Sequence, residues 1–382
     1  MIKKFKFLCN PQVIYGENSI SQLPEVIKSL GGKNLLLVAD KNFAGTDIFA
    51  GIKRQLKEQG IAFSVFDELM GEPSTGTGDD CAAAGIKNGC DIVCGIGGGS
   101  TLDTAKAAAV LITNKGSVRD YQGLDKVPGP GLPKIMIPTT AGTGSEVTFT
   151  AVFIRKDEKK KGGINSRFLY PETAILDPVL TLTLPPAVTA STGLDALCHA
   201  IESFVSKKAD FITEPVSLSA IKLIWKSLPS AYEKGDSLEA RADMLYGSFL
   251  AGVGLANAGV TAVHSISYPL GGVFGVAHGV GNGLLLPYVL EFDMPESASK
   301  IARIAEELNI GSGSDIEKAG RFITELKNLL KKFKMPGLKD LGISPDNFAS
   351  LAEDAMKIAV PIENNPKPVK PADIVKIYKN AY

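Results

Sequence analysis

Residues 244–290 contain no Asp, Glu, Lys or Arg, and 47 residues without a formal charge have few places to go. Such a stretch has to be buried, either in lipid or in a protein core. Ten glycines, two prolines and two histidines interrupt it, so no apolar run reaches the roughly 18–20 residues a spanning helix needs. The pattern predicts closely packed helices of a soluble domain. Polar side chains are expensive in such a setting, so His264 and His278 need a reason to be there.

The rest of the chain fits a globular protein of more than one domain. It has 382 residues, 45% of them apolar, and 41 basic side chains against 41 acidic ones. Zero net charge offers no field for a nucleic-acid backbone or an anionic membrane surface, so neither partner is expected. The five cysteines form no C-x-x-C pair and suit a reduced, cytoplasmic protein. Residues 1–16 (MIKKFKFLCNPQVIYG) lack the apolar stretch and the small-residue cleavage site of a secretory signal.

The first half alternates β-branched runs (34–39, 62–66, 91–95, 134–137) with helical patterns (48–59, 79–88), and residues 123–133 read as a loop. Near-continuously apolar strands between helices argue for a parallel sheet covered on both faces. After residue 177 helical patterns dominate: 186–206, 214–233, 238–257, 296–308, 315–332 and 371–381. The expectation is an α/β dinucleotide-binding domain of Rossmann-like type over 1–183 and an all-α domain over 184–382, with the cleft between them as the default site.

Two loops at strand ends suit a nucleotide. Residues 95–103 (GIGGGSTLD) pass from a strand through glycines to a helix expected to begin at Ser100, with Ser100 and Asp103 at capping-box spacing. Ser100 takes the third glycine's place in G-x-G-x-x-G, so the run could equally be a tight strand–helix turn. Residues 137–148 (IPTTAGTGSEVT) offer hydroxyls for phosphate, ribose or carboxamide, although a Ser/Thr-rich loop also makes its own turns. Asp40, at the end of the first of the four strands, suits a ribose hydroxyl or a helix cap.

A third pattern lies in residues 192–202 (TGLDALCHAIE). Asp195 and His199, four apart, share one face of a helix, and His264 and His278 are the remaining histidines. One carboxylate and three imidazoles form a common ligand set for Fe²⁺ or Zn²⁺, while a single helical His is more often an ordinary packed residue. Glu202, one turn further on, fits an outer supporting group or a solvated one.

These segments, with 97–106 (GGGSTLDTAK), 257–259 (NAG), Pro269-Leu-Gly-Gly, His278-Gly and 364–366 (NNP), resemble the iron-containing (group III) alcohol dehydrogenases from end to end. The resemblance implies Asp195, His199, His264 and His278 as ligands of a divalent ion, Fe²⁺ before Zn²⁺. It implies a pyrophosphate cradle of Gly97, Gly98, Gly99 and Ser100 supported by Asp103, with Thr139, Thr140, Thr143, Thr148 and Lys161 lining the cofactor. Asp40 matches the position whose carboxylate favours NAD over NADP by repelling a 2′-phosphate. Thr150 and Leu255 fall on the substrate side. The family pattern further implies a homodimer or larger homo-oligomer.

The chain departs from the pattern at several places. Glu72-Pro73-Ser74 replaces Asn-Pro-Thr, Cys198 replaces Thr, and Leu255 stands where Phe is frequent. Tyr268 occupies the place of a second histidine, either relaying the alcohol proton or merely packing. The expected reaction is hydride transfer between a small primary alcohol or diol and NAD, with the ion as Lewis acid. Two alternatives are a metal- and NAD-dependent lyase like dehydroquinate synthase and a catalytically silent nucleotide-binding protein.

Overall fold

The computed structural model describes residues 4–158 and 160–382, so the first three residues and Lys159 of the short lysine run lie outside the description. The chain divides into two compact units. One is Cys9–Thr183; the other begins at Leu184 and takes in the N-terminal segment through Leu8. The grouping of that segment departs from a boundary at residue 1. Leu8 exchanges two hydrogen bonds with the Asn257 amide, at 2.7 and 2.9 Å, and Phe5 meets Phe211 edge to face.

The first unit is built on six parallel strands: β1 (Gln12–Tyr15), β2 (Asn34–Asp40), β3 (Ala62–Leu69), β4 (Ile92–Gly97), then β5 (Lys134–Pro138) and β6 (Thr173–Leu176). Their order is β1–β6–β5–β4–β2–β3. Leu35, Leu37, Ile92, Cys94 and Ile135 join one apolar cluster, while Leu36, Val38, Val93 and Met136 join another. Successive residues thus bury opposite faces, which is why the strands read as unbroken apolar runs. The chain steps from β2 to β3 on one side and then crosses to β4 on the other. Such an order reversal leaves a crevice beyond the strands' carboxyl ends, where ligands of open α/β sheets bind. A hairpin of two further strands, Thr150–Arg155 and Lys160–Asn165, had no clear signal in the sequence.

The second unit is mostly helical: α1 (Pro186–Val205), α2 (Thr213–Glu233), α3 (Leu238–Ala258), α4 (Ala262–Phe274), α5 (His278–Glu307) and α6 (Asp315–Lys332) lead to the C-terminal Pro371–Asn380. The pattern at 296–308 is only the end of α5, which runs 30 residues through Pro287 and Pro295. Interior prolines normally break a helical reading because each removes a donor. Among the described residues no single helix is long and apolar enough to cross a membrane. Together α3 and α4 pass that test, but they bend by 105° at the break between them and are largely buried within the fold.

Candidate metal and nucleotide sites

Asp195 and His199 lie one turn apart on α1, His264 stands in the first turn of α4, and His278 opens α5. One donor atom from each of the four falls within 4.8 Å of all the others. Asp195 Oδ1 is 3.9 Å from Nε2 of both His199 and His278, and the His199 and His264 rings stack with centroids 4.8 Å apart. Three of these side chains are buried, while His278 is 25% exposed and marks the accessible side. A buried carboxylate loses solvation, but the three surrounding imidazoles outweigh that and hold Asp195 below the usual carboxyl range. This compact set of one oxygen and three nitrogen donors fits a divalent cation. The approach of α5 to α1 depends on Gly279, where a Cβ would lie 2.2 Å from the Ser191 carbonyl oxygen.

Two outer residues orient this set. Glu202 is fully buried, and its Oε1 accepts from Thr261 N, Thr261 Oγ1 and Val263 N at 3.0, 2.7 and 3.0 Å. Its Oε2 accepts from His264 Nδ1, which puts the ring proton on Nδ1 and makes Nε2 the acceptor nitrogen facing the cluster. No side chain of α4 caps that helix, so the Glu202 carboxylate does so from 59 residues away in sequence. The Cys198 thiol also reaches Glu202, at 3.5 Å; burial and the neighbouring carboxylate raise its pKa well above the ordinary value, so it stays protonated. Asn282 was missed by sequence reading, although it sits one turn after His278. Its Nδ2 donates to Asp195 Oδ1 at 2.8 Å and lies 3.1 and 3.2 Å from Nε2 of His264 and His278. Ser267 Oγ donates to its Oδ1 and so fixes which end of the amide faces the cluster.

In the α/β unit, β4 ends at Gly97 and a helix spans Gly99–Thr113. The capping box expected at Ser100 and Asp103 is absent: the helix starts one residue earlier, Gly98 is its N-cap, and no side chain caps it. Asp103 instead accepts from Ser145 Oγ at 2.6 Å and Val152 N at 2.8 Å, tying the second loop to the first. Lys106, fully buried, completes the tie by donating to the carbonyls of Ser145 and Thr150 and reaching Thr148. A Cβ on Gly99 would strike Thr143 at 2.5 Å, Thr140 lies beside Gly98, and Thr139 N donates to Gly97 O. An uncapped N-terminus with closely approached glycines is suited to a pyrophosphate. Burial pushes the Glu146 carboxyl in this loop up to about 7.

The remaining candidates are placed as follows. Asp40 Oδ1 caps the short helix Lys41–Ala44 by accepting from Asn42 N and Phe43 N. Lys161 donates to Glu72 at 2.7 Å, so the unusual Glu72 has a partner within the chain. The Thr150 hydroxyl is spent on Asn165 at 2.8 Å, which weakens its case as a substrate contact. Leu255 is partly buried near the end of α3. The Tyr268 ring lies 5.5 Å from His278 and 6.4 Å from His264, centroid to centroid.

Residues 10–178 match the family model for iron-containing alcohol dehydrogenase, and residues 189–382 match the C-terminal model of the same family. The chain belongs to the iron-containing alcohol dehydrogenase family. It is 38% identical over 373 residues to long-chain-alcohol dehydrogenase 1 of Geobacillus thermodenitrificans, covering 96% of this chain and 94% of that one. Against the NAD-dependent methanol dehydrogenase of Bacillus methanolicus it is 34% identical over 378 residues, covering 98% and 99%. A crystal structure of 1,3-propanediol oxidoreductase superimposes with a TM-score of 0.96 at 34% identity, with full coverage of both chains. The chain is therefore an oxidoreductase of a family that uses NAD(H) and a metal, and these matches lend no support to a lyase.

Proposed function

We propose that this enzyme interconverts a small primary alcohol or diol with its aldehyde, using NAD(H) and a divalent ion, Fe²⁺ in preference to Zn²⁺. The observation that carries this reading is the meeting of Asp195, His199, His264 and His278 within one 4.8 Å cluster. When bound, the ion supplies Lewis acidity at the alcohol oxygen and the nicotinamide takes or gives the hydride. Asp195 provides the one negative charge of the ligand set, and the Glu202 carboxylate holds the His264 proton on Nδ1. Asn282 keeps Asp195 turned inward. Tyr268 takes a packing role beside the His278 ring.

Gly97, Gly98, Gly99 and Ser100 take the pyrophosphate in this reading, with Thr139, Thr140, Thr143, Thr148 and Lys161 along the dinucleotide. Asp40 selects NAD by repelling a 2′-phosphate. Leu255, smaller than Phe, gives a wider substrate side. The free thiols, four of five buried, suit a cytoplasmic enzyme, and the family pattern supports a homodimer or larger assembly.

The test is NADH consumption with a panel of short aldehydes and added Fe²⁺ or Zn²⁺, run beside His278→Ala. The unmodified enzyme should turn over at least one aldehyde, and the variant should stay folded, carry little metal and be inactive. Full metal occupancy in His278→Ala would refute the ligand assignment.

A further inference from the structure

We propose that the α/β unit carries a second small-molecule site, for a compact oxyanion, at the amino ends of β1, β5 and β6. A cavity of about 330 Å³ opens there, lined among others by Asn10, Gln12, Lys134, Arg167, Tyr170 and Glu172. Gln12 and Lys134 are the first residues of β1 and β5, and Glu172 immediately precedes β6. The cavity therefore lies at the opposite end of the sheet from the glycine loop that follows β4.

Three of the lining residues carry side-chain donors with too few acceptors. The Tyr170 side chain is buried, 6% exposed, and its hydroxyl has no hydrogen-bond partner among the described residues. Burial pushes that phenol up to about 12, so it remains a neutral donor in ordinary conditions. The Lys134 side chain is 3% exposed, and among the described residues its ammonium reaches only the Glu172 carboxylate, both oxygens at 3.5 Å. One of those oxygens is already engaged by Lys134 N at 2.6 Å. Arg167 stands exposed, its guanidinium 4.9 Å from the Phe168 ring centroid, and makes no ion pair among the described residues.

A buried hydroxyl without an acceptor and a buried ammonium with a distant one both carry an unmet desolvation cost. An anion with two or three oxygens meets that cost at once, and the arginine adds a charge-assisted contact. Glu172 is the one carboxylate among the lining residues, so two cations leave an excess of positive charge. The volume lies at the lower end of the range for ligand sites, which favours a single phosphate or a short carboxylate over a nucleotide.

The glycine loop is itself an anion site, so the experiment saturates the holoenzyme with NAD⁺ first. Isothermal titration with inorganic phosphate and, separately, malonate at constant ionic strength then reads the second site and distinguishes the two oxyanion types. Saturable binding of at least one is expected, weakened about tenfold or more in Arg167→Gln and in Tyr170→Phe, with kcat unchanged in both. Neither substitution threatens the fold, because one removes an exposed guanidinium and the other an unpartnered hydroxyl. No saturable heat with either anion, or binding that both variants retain in full, overturns the proposal.

Discussion

The candidate nucleotide loops of the α/β unit and the candidate ligand cluster of the helical unit are built in different ways. In the first, contiguous backbone does the work: Gly97, Gly98 and Gly99 follow one another, and a second loop is tied on by Asp103 and Lys106. In the second, the working atoms come from three helices, and the groups that aim them are Glu202 and Asn282, up to 87 residues from their targets. A backbone site tolerates side-chain changes that leave its turn intact. A side-chain cluster passes any loss to every member that shared the bond.

The sharpest way to break this contrast is Glu202→Ala. It leaves His264 Nδ1, Thr261 N and Val263 N without their acceptor, so unfolding free energy should fall by about 3–5 kcal/mol along with metal content. Chemical denaturation beside metal analysis checks it; a variant of native stability that keeps its ion would show that the cluster does not share its bonds. Asn282→Ala should act more narrowly, weakening metal binding by about 10–100-fold in a chelator competition while the fold persists. On the backbone side, Asp40→Gly removes a carboxylate but keeps an acceptable cap, so stability should barely move. The kcat/KM ratio of NADPH to NADH should rise about tenfold or more, and an unchanged ratio would remove Asp40 from cofactor choice.

The smallest effect concerns pH. Burial pushes the Asp293 carboxyl up to about 7, against an unfolded value near 3.9, and its Oδ2 has no hydrogen-bond partner among the described residues. A raised folded pKa gives stability that is complete below about 4 and is lost as pH rises through about 7. The melting temperature should therefore decline between pH 5 and 8, and Asp293→Asn should flatten part of that decline. An identical slope in the variant would assign the loss elsewhere, with buried Glu146 as the first suspect.

The same contrast explains what could be read without coordinates. The apolar strands, the glycine turn and the Asp195–His199 spacing are local patterns, and local periodicity finds them. The start of the helix at Gly99 was misplaced because Ser100 and Asp103 imitate a capping box, while Asp103 bonds across to Ser145 and Val152. The full length of α5 was hidden by Pro287 and Pro295, whose cost is met by packing that no window of sequence contains. Asn282 had the correct spacing from His278 but no chemistry to single it out until Ser267 was seen holding its amide. Lys161 and Glu72 gained meaning only as a pair.

The Glu202 carboxylate has one more consequence. It closes the bend between α3 and α4 and also sets the tautomer of His264. Closure of that corner and the choice of the His264 nitrogen that faces the candidate metal cluster thereby depend on the same two oxygens. A substitution at residue 202 therefore cannot reach the imidazole without also releasing the start of α4.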